Sequence, residues 1–142
     1  MRIMALDVGT KRIGVAMSDE LFLTAQGSDT IYRQAPEADL EAIRKRASDN
    51  GVCEIVVGLP LNMNGSYSAK TKEVVAFMES LARSVDIPVK TWDERLTTIQ
   101  AENVLLAADV SRAKRKVSID KMAAQIILQS YLDSRKRGEK NA

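Results

Sequence analysis

Histidine is absent from the 142 residues, and cysteine occurs once. The first absence excludes Ser-His-Asp and Cys-His nucleophile systems, the usual neutral-pH general base, and nearly all zinc and iron chemistry. The second excludes a disulfide framework within one chain, and Cys53, inside "CEIVVGL", reads as a small buried hydrophobe. Aromatic residues are scarce (one Trp, three Tyr, two Phe), which leaves no evident stacking platform for single-stranded bases. No apolar run approaches the length of a membrane span, and the N-terminus lacks the basic, apolar and small-residue sequence of a secretion signal. The expectation is a cytoplasmic chain with no membrane partner. Any catalysis must run on carboxylates, Lys, Tyr, Ser/Thr or a bound ion, and hard oxygen ligands select magnesium, calcium or manganese.

What is present is enough apolar sequence for one core, with a formal net charge of only +2. The positive charges are unevenly placed. "SRAKRK" (111–116) and "RKRGEK" (135–140) are concentrated basic runs, whereas acids are dispersed. The second run reads as a solvated tail, so one domain is expected over 1–135 and a basic, disordered tail over 136–142.

Periodicity suggests an α/β domain with a mixed sheet. "RIMALDV" (2–8) alternates as a strand with Ile3, Ala5 and Asp7 on one face, and short turns join it to strands over 13–19 and 23–33, an antiparallel meander. A helix over 36–51 follows, with Pro36 suited to its first turn and Gly51 to its end. The β-branched run 53–60 reads as a buried parallel strand. A helix over 68–85, a strand over 87–93 and a helix over 97–109 come next. The linker 110–118 leads to a last helix over 119–136. Ser118 is a plausible N-cap for it, with Asp120 in its first turn.

Three acidic positions stand out. Asp7 sits inside an apolar strand, Asp93 and Glu94 close the strand "PVKTWDE", and Asp120 opens the last helix. A buried carboxylate costs several kcal/mol unless something positive meets it, and at an element end alone each acid has an ordinary explanation. In a sheet with a central first strand, the carboxyl ends of neighbouring parallel strands converge on one edge, where a helix N-terminus can add a third carboxylate. Ala123 and Ala124 are small enough for that helix to lie close. Three converging carboxylates repel, and one or two divalent cations compensate them. Alternation keeps Asp93 and Glu94 from both being ligands; Glu94 is the choice, with Asp93 on Arg95 or a backbone amide.

These residues carry a resemblance. Through "LDVGTKRIGVAMSD", "IVVGLPLNMNGS", "WDERLTT" and "IDKMAAQIILQSYLD" the chain resembles the YqgF family, also called RuvX, bacterial proteins of the RNase H-like fold similar to Holliday-junction resolvases. The resemblance implies a five-stranded mixed sheet flanked by helices and a metal-dependent nuclease. Its catalytic and metal-holding residues fall on Asp7, Glu94 and Asp120, with two Mg²⁺ or Mn²⁺ ions. The family is linked to trimming the 5′ end of pre-16S rRNA in ribosome biogenesis and, by fold, to resolving branched DNA. Structured RNA is the expected partner and branched DNA the alternative, with the protein a monomer or weak homodimer.

On that reading Arg112, Lys114, Arg115 and Lys116 lie at the mouth of the site, where they bind backbone phosphates or, as an equal alternative, form a solvated linker, with Lys11 and Arg12 on the turn after Asp7 adding to the same surface. Asn62 lies in "LPLNMNGS", a loop at a strand's carboxyl end placed to contact substrate, although turn chemistry is itself sufficient reason for it. Arg95 either pairs with Asp93 or reaches a phosphate bidentately, the second being preferred. "LDVGT" also resembles the first phosphate loop of actin-like and sugar-kinase ATPases, but 142 residues provide one lobe where those enzymes use two. A non-catalytic RNA-binding assembly factor is the reading from a different class.

Overall fold

The computed structural model describes residues 1–95 and 122–135. Strands β1 (Arg2–Val8), β2 (Arg12–Ser18) and β3 (Ala25–Tyr32) form an antiparallel meander. Helix α1 (Pro36–Asp49) leads to β4 (Val52–Leu59), parallel to β1, and α2 (Ala69–Ser84) leads to β5 (Val89–Asp93), parallel to β4. Helix α3 runs through 122–135. The order β3-β2-β1-β4-β5 puts β1 at the centre. The expected helix over 97–109, the linker 110–118 with Arg112, Lys114, Arg115 and Lys116, Asp120, and the tail 136–142 lie outside the described residues.

The two faces of β1 build two cores. Met4, Leu6 and Val8 point towards Ile43 and Ala47 of α1 and Val74 and Leu81 of α2. Ile3 and Ala5 point the other way, with Ala16, Val56, Ala124, Ile127 and Leu128. The alanines at 5, 16 and 124 let α3 lie close to the sheet, and each larger side chain buried here contributes about 1.5–3 kcal/mol. Cys53 is half-buried against this second core, with its thiol donating to the Arg2 carbonyl at 3.4 Å.

The helix ends follow from local chemistry. Pro36 stands in the first turn of α1, and Gly51 after its end takes a φ of 62°, the left-handed region that glycine enters freely. In α2, Ser68 and Thr71 form a reciprocal capping box. β3 starts two residues later than its sequence pattern suggests. The Asp19 carboxylate accepts from the backbone N–H of Leu23 at 2.7 Å and of Thr24 at 3.0 Å, which draws both residues into the hairpin turn. Among the described residues no helix is long and apolar enough to cross a membrane.

Candidate active site

Asp7 is the penultimate residue of β1, and Glu94 follows the last residue of β5. The strands between and beside them are in parallel register, with Leu6 opposite Val57 on β4 and Gly58 opposite Trp92 on β5. Alternation therefore carries Asp7, Gly58 and Glu94 to the same face, the one covered by α3, at the carboxyl edge of the sheet. Gly58 makes this possible. A Cβ at residue 58 would stand 2.5 Å from Glu94 Oε2 and 2.6 Å from Ile127 Cδ1, so the hydrogen of glycine leaves the cradle in which the Glu94 carboxyl lies.

The two carboxyl groups are joined by a hydrogen bond, which requires a proton on one of them. Glu94 holds it. Burial pushes its pKa up from 4.5 to about 8, reinforced by the charge of Asp7 and the bond to it, while the Lys70 ammonium works in the opposite direction. Two carboxylates forced together in a half-dry cleft in this way provide hard oxygen donors, and a divalent cation satisfies them better than a shared proton does. Donor chemistry and the Gly58 cradle both fit such an ion. Among the described residues no group of three or more potential ligands is assembled; they contribute the Asp7–Glu94 pair.

Asp93 points away from this pair and is occupied. Its carboxylate accepts from the Arg95 backbone N–H at 3.0 Å and from Arg95 Nε at 2.7 Å, which holds it below the usual carboxylate range. Asp93 is thus held by Arg95 and its backbone amide, the partners expected for it. Of the two partners weighed for Arg95, the structure shows Asp93 rather than an open guanidinium, and Nη1 also donates to the Met63 carbonyl at 3.2 Å. Asn62 likewise serves its own loop. Its side-chain amide donates to Ser66 Oγ at 2.9 Å, and its backbone closes the turn to Ser66 and Gly65.

Lys11 and Arg12 flank the β1–β2 turn as expected, which is closed by the Gly9 N–H on the Arg12 carbonyl at 2.8 Å. That turn is held from outside. Arg33 donates to the Gly9 carbonyl at 2.9 Å and is itself paired with buried Asp39 at 3.1 Å. α3 runs against β4: Ile127 reaches Gly58, whereas Tyr131 and Arg135 reach Glu54 near the start of that strand. The N-terminal end of α3 is thus directed to the carboxyl edge where Asp7 and Glu94 meet.

Three residues, two here and one at the far end of α3, escape a reading of the sequence. Gly58 looks like turn chemistry until Glu94 is seen above it. Lys70 looks like a solvated helix charge, although a lysine in a helix's first turn opposes the dipole and is the trace it leaves in the sequence. Glu54 is a buried acid in an apolar strand whose partners, Lys90 at 2.8 Å and the Tyr131 hydroxyl at 2.6 Å, lie far along the chain.

The family model described as RuvX, Holliday junction resolvase, matches residues 1–134. A protein of Desulforamulus reducens, named as a candidate pre-16S rRNA nuclease, is 54% identical over 134 residues, covering 94% of this chain and 98% of its own length. The fowlpox virus resolvase, solved with Holliday junction DNA, aligns with TM-score 0.58 at 12% identity over 95% of this chain and 99% of its own. Thermus thermophilus RuvC, solved with a Holliday junction substrate, aligns with TM-score 0.56 at 14% identity over 96% of each chain. These structures establish the α/β, RNase H-like fold, with the strand order given above. Matched along nearly its whole length, the chain belongs to the RuvX family.

Proposed function

We propose that this protein processes the 5′ end of pre-16S rRNA as a divalent-metal-dependent nuclease, with Asp7, Glu94 and Asp120 as its metal-holding residues. It is a hydrolase acting on phosphodiester bonds, the class of its family and relatives. The observation that carries the reading is the Asp7–Glu94 pair, two acids pressed together over a glycine at the carboxyl edge of a resolvase-type sheet. Asp120 precedes the described part of α3 by two residues, and that helix's N-terminal end is directed to the same edge. Magnesium or manganese ions bound there would supply an ionised water for in-line attack and stabilise the leaving 3′-oxygen. The chain's own part is to hold the carboxylates fixed. Gly58 seats Glu94, Arg95 keeps Asp93 from competing, and the Arg33–Asp39 pair braces the turn after Asp7. Lys11, Arg12 and the basic run Arg112 to Lys116 would attract the phosphate backbone. Residues 1–135 act on this reading as one cytoplasmic nuclease unit, with 136–142 a basic tail.

Resolution of branched DNA is the second reading, favoured by the family description and by the fold shared with two resolvases. One assay separates the two. Labelled pre-16S leader RNA and a four-way DNA junction are incubated with Mg²⁺, Mn²⁺ or EDTA, with wild type beside Asp7→Asn, and run on denaturing gels. Metal-dependent cleavage of the RNA that Asp7→Asn abolishes is the expected result. Cleavage of the junction alone would transfer the function to DNA. Tight RNA binding with no cleavage of either would replace the nuclease by an assembly factor.

A further inference from the structure

Lys70 is the second residue of α2, and its ammonium lies 3.4 Å from the hydroxyl of Thr10, in the turn that follows Asp7. Its charge also favours the ionised form of Glu94. The placement is imposed by the backbone around it. Thr71 donates to the Pro60 carbonyl just beyond β4 and shares a reciprocal cap with Ser68, so the start of α2 is tied to the strand end that carries Gly58. A cation in a first helical turn is disfavoured by the dipole, and the first turn of α2 contains no acid to offset it. Glu73 stands 3.9 Å away, at the outer limit of an ion pair, while the Lys70 side chain remains 34% exposed. Alongside lies an open hollow of about 510 Å³ bordered by Thr10, Lys11, Tyr32, Arg33 and Glu73.

We propose that Lys70 grips a phosphate of the nucleic-acid backbone beside Asp7 and Glu94, with Lys11, next to Thr10 in the same turn, on a neighbouring phosphate. The ligand's identity rests on the nuclease reading. A lysine ammonium has three donors; Thr10 takes one and Glu73 competes weakly for a second, which leaves donor capacity and charge beside the turn that follows Asp7. Lys70 thereby becomes a substrate-positioning residue of this site.

The test measures binding of labelled leader RNA in EDTA across a salt series, for wild type, Lys70→Ala, Lys70→Arg and Lys72→Ala. Thermal melts confirm that each variant folds. Lys70→Ala is expected to weaken binding about tenfold at low salt and to lower the slope of log K against log salt by about one. Lys70→Arg is expected to retain both, and Lys72→Ala, an exposed neighbour with the same charge change, to alter little. Equal losses in Lys70→Ala and Lys72→Ala would overturn the proposal in favour of a general field. So would Lys70→Ala that binds RNA as wild type does. Because binding is read without metal, a wild type that shows the expected Lys70 pattern yet cuts nothing in Mg²⁺ sinks the nuclease reading and upholds the phosphate contact.

Discussion

Glu94 lies so close above Gly58 that a single added carbon on residue 58 would stand 2.5 Å from its Oε2. The other atom in the way is Ile127 Cδ1 at 2.6 Å, and both obstacles are ends of side chains. Gly58→Ala should therefore fold, at a cost of about 1–2 kcal/mol for the crowding. Its main effect falls on the site. Displaced from its seat, Glu94 should hold a divalent cation at least about tenfold more weakly, read by Mn²⁺ titration calorimetry. An alanine variant with unchanged Mn²⁺ affinity would separate Glu94 from metal binding.

The proton between Asp7 and Glu94 makes stability depend on pH. The unfolded chain releases the Glu94 proton near 4.5, whereas the folded protein keeps it to about 8. Between those values the folded state binds more protons, so stability falls as pH rises through the window. The melting temperature in EDTA should decline from the low end of this range to the high end, and Glu94→Gln should flatten the decline. A cation competes with the same proton, so the rise in melting temperature on adding Mn²⁺ should grow with pH. A Glu94→Gln profile parallel to wild type would place the titration elsewhere.

Asp39 is buried at the start of α1, where it accepts from Arg33 Nε and from the Gln34 backbone N–H at 3.0 Å. Asp39→Ala leaves Arg33 without its carboxylate and removes the support that Arg33 lends to the Gly9 carbonyl. A loss of about 2–4 kcal/mol in urea unfolding is expected. Cleavage should fall as well, because the turn carrying Thr10 and Lys11 loosens. Unchanged stability would mean that Arg33 finds a replacement partner.

Glu54 sits at the opposite end of the α3 face. Burial opposes its ionisation, but the Lys90 ammonium and the Tyr131 hydroxyl outweigh it and hold the carboxyl below its usual range. Tyr131→Phe removes a 2.6 Å bond from a buried acid and should cost about 1–3 kcal/mol. It should leave Mn²⁺ affinity alone. A matching loss of metal binding would show that the two ends of α3 are coupled.

Element order and fold class were legible in the chain because they rest on near-neighbour patterns. Alternation in "RIMALDV", the β-branched "CEIVVGL" and the helical spacing between them place the five strands and the helices α1 and α2 within a few residues. β3 begins late only because the Asp19 side chain competes locally for two backbone N–H groups. The same period-2 logic separates Asp93 from Glu94, and the absence of histidine directs attention to oxygen chemistry.

What meets what is another matter. That Glu94 rests on Gly58, that Lys70 reaches Thr10 sixty residues earlier, and that Glu54 finds Lys90 and Tyr131 all depend on strand register and helix placement. A glycine or a lysine has many local uses, and nothing in its own neighbourhood says which one applies. Strands, the described helices and the candidate acids follow from interactions a few residues apart, and the chain alone is enough to find them. Only the packed sheet decided which of them share a site, because the energy that sets register is spread over the whole buried core.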